Sequence, residues 1–184
     1  AKILDWMMLW SDNQLADRLA RLSSQAAGGP FGILGVERIF KNLLAELQID
    51  SSKLVVKDAS GLSRSNKVTA KMIGELLYKL RKDPRFTGIY SVLPVSGVSG
   101  TLNERFIETA PTAVGLVRAK TGSLNGTVTL AGFVESSDTE YVFVTLADEI
   151  PRGYTSLKKA RAAIDKILGR IAAPNIPAEI SPLP

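Results

Sequence analysis

The chain has 184 residues, 45% of them hydrophobic and 22% charged, with a net charge of +5 and neither Cys nor His. That length and balance suit one soluble globular domain, or two lobes around a shared core. The missing residue types exclude a thiol nucleophile, a Cys/His metal site and a His-dependent triad built within this chain, so any general base here is Lys, a carboxylate or Tyr.

The chain opens as helix interior. Ile3, Leu4, Met7 and Met8 recur at helical spacing, and so do Leu15, Leu19 and Leu22. An opening of this kind leads us to expect further residues upstream. Ser11-Asp12-Asn13, three poor helix formers, breaks the two helices. Gly28-Gly29-Pro30 ends the second. Val36, Ile39, Phe40, Leu43, Leu44 and Leu47 predict an amphipathic helix. Leu54-Val55-Val56 predicts a short strand, and 58–66 a polar loop. Thr69 suits the N-cap of a helix carrying Met72, Ile73, Leu76, Leu77 and Leu80, stopped by Asp83-Pro84. Residues 87–112 predict a long irregular segment with a turn of helix near Asn103.

The character then changes to strand. The runs 116–121, 127–135 and 140–148 are β-rich, with short connections at 123–126 and 136–139 that suit antiparallel hairpins. Leu157, Ala160, Ile164, Ile167 and Ile171 mark a C-terminal helix, and a tail with Pro174, Pro177, Pro182 and Pro184 follows. The expected fold class is α+β or layered α/β: a mainly helical lobe over 1–112, then a three-stranded antiparallel sheet with a covering helix over 113–172, then a loosely ordered Pro-rich tail over 173–184.

Two short motifs carry chemistry. In Ser11-Asp12-Asn13, a break between helices can aim the Ser11 hydroxyl and the Asn13 amide into one cleft, to relay a proton and hold a substrate amide. The alternative is a plain helix cap. In Lys120-Thr121-Gly122-Ser123, Lys120 and Gly122 share a strand face. Gly122 lets a ligand backbone lie close, Lys120 adds positive charge, and the hydroxyls of Thr121 and Ser123 suit a carboxylate. The alternative is an exposed strand end entering a hairpin. The basic residues Lys158, Lys159, Arg161, Lys166 and Arg170 cluster on the C-terminal helix without interleaved aromatics, which suits a solvated surface better than nucleic-acid binding.

Taken together and in this order, the motifs match part of the Ser-x-x-Lys, Ser-Asp-Asn, Lys-Thr-Gly set of penicillin-binding proteins and class A β-lactamases. The blocks 9–17, 58–64, 93–97, 100–102 and 119–124 resemble the D-alanyl-D-alanine carboxypeptidases of the penicillin-binding protein 4 type, from the first residues to about Gly169. The resemblance implies that Ser11 and Asn13 assist proton transfer and hold the substrate amide. It implies that Lys120 supplies charge within a network shared with Ser11, and that Thr121 and Ser123 receive the terminal D-alanine carboxylate. The Ser123 backbone N–H would be one of two oxyanion donors. The expected partners are peptidoglycan stem peptides ending in D-Ala-D-Ala and β-lactam antibiotics, with no cofactor or metal and no nucleic acid. The expected location is extracytoplasmic.

One departure stands out. In the family, Ser-x-x-Lys precedes the second motif, yet the ten residues before Ser11 contain no Ser. The chain's one match, Ser156-Leu157-Lys158-Lys159, follows Lys-Thr-Gly and is read as a decoy. The loop 58–63 is read as structural. The expected nucleophile therefore lies outside this chain, which by itself is expected to be inactive. A non-catalytic stem-peptide-binding module and a serine β-lactamase are the alternatives. Without the strands that the family sheet takes from its N-terminal part, an exposed sheet edge or apolar face is expected, through which the chain can self-associate.

Overall fold

The computed structural model describes residues 2–173. Helices α1 (Lys2–Trp10), α2 (Asn13–Ala26), α3 (Ile33–Glu46) and α4 (Ala70–Lys82) come first, followed by a short α5 (Thr87–Ser91). Strands β1 (Val117–Leu124), β2 (Thr127–Ser136) and β3 (Thr139–Ala147) form one antiparallel sheet in the order β1-β2-β3. Helix α6 (Tyr154–Ala172) closes the fold. The expected sequence of helical lobe, antiparallel sheet and covering helix is the observed one. The tail from 174 onward lies outside the described residues.

Local chemistry sets most boundaries. Thr69 Oγ1 accepts from the Met72 backbone N–H at 3.1 Å, capping α4 as its side chain predicts. Asp83 ends that helix, and Pro84 starts a 3-10 turn at Pro84–Phe86. Leu54-Val55-Val56 is not a strand. Only Val55 pairs, in an isolated antiparallel bridge with Lys67, and just beyond it Asn66 Oδ1 accepts from the backbone N–H groups of Lys57 and Asp58 in place of a ladder. The segment expected to be irregular contains α5 and two 3-10 turns, Gly100–Leu102 and Pro111–Ala113. Strand β1 runs further than its sequence suggests. Gly122, Ser123 and Leu124 pair with Thr129, Val128 and Thr127, so the connection is only Asn125-Gly126. Gly126 has φ 87°, a value that glycine adopts without steric cost.

The sheet divides the molecule. Val117, Ala119, Val128, Leu130 and Val134 lie on one face and pack with Ile164, Leu168 and Ala172 of α6 and with Leu102, Phe106, Ala110 and Ala113. Burying each Val, Leu, Ile or Phe of this cluster yields about 1.5–3 kcal/mol. Arg118, Lys120 and Gly122 alternate to the opposite face, where α4 packs across β3. A second small core joins α3 to α4 through Leu44, Leu47, Ile49 and Met72.

Part of the outer edge of β1 is covered. Ser96 N–H donates to Val117 O, and Ala119 N–H donates to Pro94 O, both at 2.9 Å. From Lys120 onward no strand lies beside β1 among the described residues, and none lies beside the outer edge of β3. Helix α1 exposes Ile3, Leu4, Trp6 and Trp10 and has no fully buried residue. The expected open edge and apolar face are therefore both present.

Candidate active site

A cleft of about 580 Å³ opens where the α1–α2 junction meets the uncovered half of β1. Ser11, Asp12 and Asn13 form one side. Lys120, Thr121, Gly122, Ser123 and Leu124 form the floor, with Thr129 behind them, and Ala59, Ser60, Gly61 and Leu62 complete the wall. All six residues expected from the two motifs thus reach a single cavity.

The α1–α2 break is built by two neighbours with different tasks. Ser11 takes φ 58°, a left-handed conformation that costs a non-glycine residue about 1–2 kcal/mol. Asp12 caps α2, its Oδ1 accepting from Leu15 N–H at 3.0 Å. The cap expected of this motif is therefore Asp12, which leaves the Ser11 and Asn13 side chains available to the cleft. Gly100 helps hold the junction. Its φ is 56°, and a Cβ placed there would stand 2.5 Å from the Leu9 carbonyl oxygen, so only glycine lets the 3-10 turn approach the end of α1 so closely.

Across the cleft, Lys120 Nζ donates to Ser11 Oγ at 2.5 Å and to the Thr121 carbonyl at 3.1 Å. No carboxylate forms an ion pair with Lys120 among the described residues. Burial without a counter-charge pushes its pKa down from the ordinary 10.5 to about 8. Lys120 is thus positively charged near neutrality but within reach of its neutral form, which can accept a proton from Ser11.

Thr121 and Ser123 alternate to the α6 side of β1, and each has a partner behind it. Thr121 Oγ1 lies 2.9 Å from Thr101 Oγ1. Ser123 Oγ accepts from Arg161 Nη2 at 2.8 Å. At Gly122 the sequence suggests space for a ligand. The structure fills that space with the hydroxyl of Thr129, the residue's cross-strand partner.

The 58–63 loop, read from sequence as structural, also lines the cleft. Asp58 collects hydrogen bonds from Gly61 N–H at 2.6 Å, Ser63 N–H at 2.5 Å and Asn66 Nδ2 at 3.1 Å. Partial burial acts to raise its pKa, but these donors outweigh it and hold the carboxyl below its usual range. Ala59 N–H donates to Asp17 Oδ1 at 2.7 Å, which docks the loop on α2. Arg64 Nη2 reaches Asn125 O at 2.6 Å, tying the loop to the β1–β2 turn.

Ser156 and Lys159 sit on α6 and do not line the cleft. Sequence reasoning overlooked Thr129, Thr101 and Arg161. Thr129 becomes visible only once the β1–β2 register is known, and Thr101 only once the Gly100 turn is placed. Arg161 is hidden among other basic residues of α6. No cluster of three or more His, Cys, Asp or Glu able to hold a metal occurs among the described residues. No helix there is long and apolar enough to cross a membrane.

Comparison with known proteins agrees with this arrangement. The profile of the D-Ala-D-Ala carboxypeptidase 3 (S13) family matches residues 1–171. Carboxypeptidase DacB of Mycolicibacterium smegmatis is 34% identical over 164 residues, covering 86% of this chain and 36% of that protein. The D-alanyl-D-alanine carboxypeptidase of an Actinomadura species is 36% identical over 152 residues, covering 78% of this chain and 27% of that protein. Among solved structures, penicillin binding protein 4 (dacB) of Haemophilus influenzae in complex with a β-lactam superposes with a TM-score of 0.81 at 30% identity, covering 91% of this chain and 40% of the other. Fold and motif order thus define the penicillin-binding protein 4 type. The chain belongs to the D-Ala-D-Ala carboxypeptidase 3 (S13) family. It spans about a third of the length of the curated relatives it matches.

Proposed function

We propose that this chain supplies the second and third motifs of a serine D-Ala-D-Ala carboxypeptidase or endopeptidase that acts on peptidoglycan stem peptides and is acylated by β-lactams. The observation that carries this reading is the 2.5 Å contact of Lys120 Nζ with Ser11 Oγ, which joins motifs 109 residues apart in a cleft lined by Asn13, Thr121 and Ser123.

The roles follow from the chemistry. A serine hydroxyl outside this chain attacks the carbonyl carbon of the D-Ala-D-Ala peptide bond. Its proton leaves through the Ser11–Lys120 pair to the departing amine of D-alanine. Lys120, its pKa lowered by burial to about 8, can both give and take that proton. Asn13 binds the stem-peptide amide. Thr121 and Ser123 donate to the terminal carboxylate, beside the positive charge of Lys120. The Ser123 N–H, on the uncovered edge of β1, faces the developing oxyanion; one such donor typically contributes about 3–4 kcal/mol. Water then hydrolyses the acyl-enzyme. Acids, bases and hydrogen-bond donors suffice for this cycle. Its substrate places the protein outside the cytoplasmic membrane, where peptidoglycan is.

A second reading is favoured by one observation: the chain's only Ser-x-x-Lys is Ser156–Lys159, away from the cleft. In that reading the protein binds stem peptides without cleaving them. Labelling with a fluorescent penicillin, followed by denaturing electrophoresis, separates the two. Covalent labelling of a form extended upstream to include Ser-x-x-Lys, with none of residues 1–184 alone, supports the peptidase. Labelling of 1–184 alone makes Ser156 the residue to replace. Two folded but dark samples leave the binding module.

The outer edge of β3 is the surface proposed for self-association. Sedimentation that stays monomeric as the concentration of the chain rises removes that proposal.

A further inference from the structure

Arg161 is the one basic residue of α6 hydrogen-bonded to a motif side chain, through its 2.8 Å contact with Ser123 Oγ. Its nearest partner by helical spacing would be Asp165, one turn further along α6. That carboxylate is committed elsewhere: it is buried, paired with Arg105, and accepts from Thr109 Oγ1 at 3.1 Å. Arg161 forms no ion pair among the described residues. Its helix is held in register, since Arg105 Nη2 also donates to the Arg161 carbonyl oxygen at 3.5 Å. The fold therefore pairs off the neighbouring acid and leaves an uncompensated guanidinium against Ser123.

The hydrogen-bond inventory makes this contact directional. A serine hydroxyl has one proton and two lone pairs, whereas a guanidinium only donates. With Arg161 occupying a lone pair, the Ser123 proton cannot point towards α6 and is free to be donated into the cleft. The guanidinium also draws charge from the oxygen, which strengthens that onward bond.

We propose that Arg161 is a positioning residue for carboxylate recognition: it orients and polarises the Ser123 hydroxyl towards the free carboxylate of the substrate and adds a positive charge on the α6 side of β1, while Lys120 supplies its charge from the opposite face. This rests on the peptidase reading above. It predicts a preference for ligands ending in a free carboxylate over their esters, set partly from α6.

The test uses the full-length protein containing this segment. Acylation rate constants are measured for benzylpenicillin and for its methyl ester, in the parent protein and in the Arg161→Ala, Arg161→Lys, Ser123→Ala and Arg161→Ala/Ser123→Ala variants. Loss of one charge-assisted contact should lower the acid-over-ester ratio about tenfold in Arg161→Ala. Arg161→Lys, which keeps the charge and a donor, should recover part of it. The double variant should fall no further than Ser123→Ala, because Arg161 acts through that hydroxyl. A purely structural role would slow acid and ester by the same factor, and that result overturns the proposal. So does an unchanged ratio in Arg161→Ala. A parent protein acylated by neither compound refutes the peptidase reading itself and removes the basis for this one.

Discussion

The hydroxyl of Thr129 occupies the place where a Cβ on Gly122 would stand. The two residues pair across β1 and β2, and the only other Thr129 atom near that position is its Cβ, at 3.6 Å, an ordinary contact. Gly122 does not have positive φ, so its glycine is explained by space, not by backbone conformation. Gly122→Ala should therefore destabilise the chain by about 1–3 kcal/mol, the usual cost of overpacking. Thr129→Ala in the same chain should restore most of it, because the colliding oxygen is gone. Urea unfolding of the two single variants and the double variant reads the coupling. Additive losses would mean that Gly122 answers to something other than Thr129.

The depressed pKa of Lys120 has consequences of definite sign. In the unfolded chain the ammonium keeps its ordinary pKa of 10.5, while in the folded chain it loses its proton near 8. Between these values the unfolded state binds more protons, so this group's contribution makes stability rise with pH from about 8 to about 10.5. Below pH 8 the burial penalty on the charged form is present in full. The Lys120→Met variant should lack this slope, which denaturant midpoints across the range will show. Side-chain NMR should place the Lys120 titration near 8. A titration at its ordinary value would show that burial does not govern this amine.

Much of this site can be read in the sequence, and the reasons are local. Ser11-Asp12-Asn13 interrupts two apolar periodicities, and Thr69 and Asp83-Pro84 bracket α4, because caps and breakers act within a turn of their own position. The alternation at 117–124 gives Lys120 and Gly122 a common face. What the sequence hides depends on distant pairings. Ser11 and Lys120 stand 109 residues apart in the chain, and nothing local to either brings them to 2.5 Å. Leu54-Val55-Val56 has strand composition but finds only Lys67 as a partner, since tertiary context decides whether a short apolar run becomes a ladder. Arg161 looks like any exposed base until α6 is docked beside Ser123.

Asp58 organises the loop that lines the cleft beside α2. Its carboxylate takes the backbone N–H groups of Gly61 and Ser63 and the amide of Asn66. Asp58→Ala leaves these donors to solvent and should cost about 1–2 kcal/mol, with faster amide exchange confined to 59–66. Because the folded carboxyl titrates below its ordinary 3.8, its contribution is present above that pH and disappears as pH falls further. The variant should therefore lose less stability than the parent on acidification below pH 4. Exchange accelerated evenly over the chain would show that the loop is not an independent unit.

Arg105 and Asp165 form a nearly solvent-free ion pair that ties α6 to the segment beneath the sheet, with Thr109 as a third member. Breaking such a pair from one side is costly, because the remaining charge stays buried without its partner. Arg105→Met leaves Asp165 with Thr109 alone and should destabilise by about 3–5 kcal/mol. Asp165→Leu should cost less, since the longer arginine, less deeply buried, can swing towards water. The double variant Arg105→Met/Asp165→Leu should recover much of the first loss by filling the space with apolar side chains. Guanidinium unfolding of the four proteins measures these differences. Recovery of stability by the double variant would mean that the pair contributes little net stability to the packing of α6. Failure of the double variant to recover would make the ion pair a net stabiliser of the helix–sheet interface.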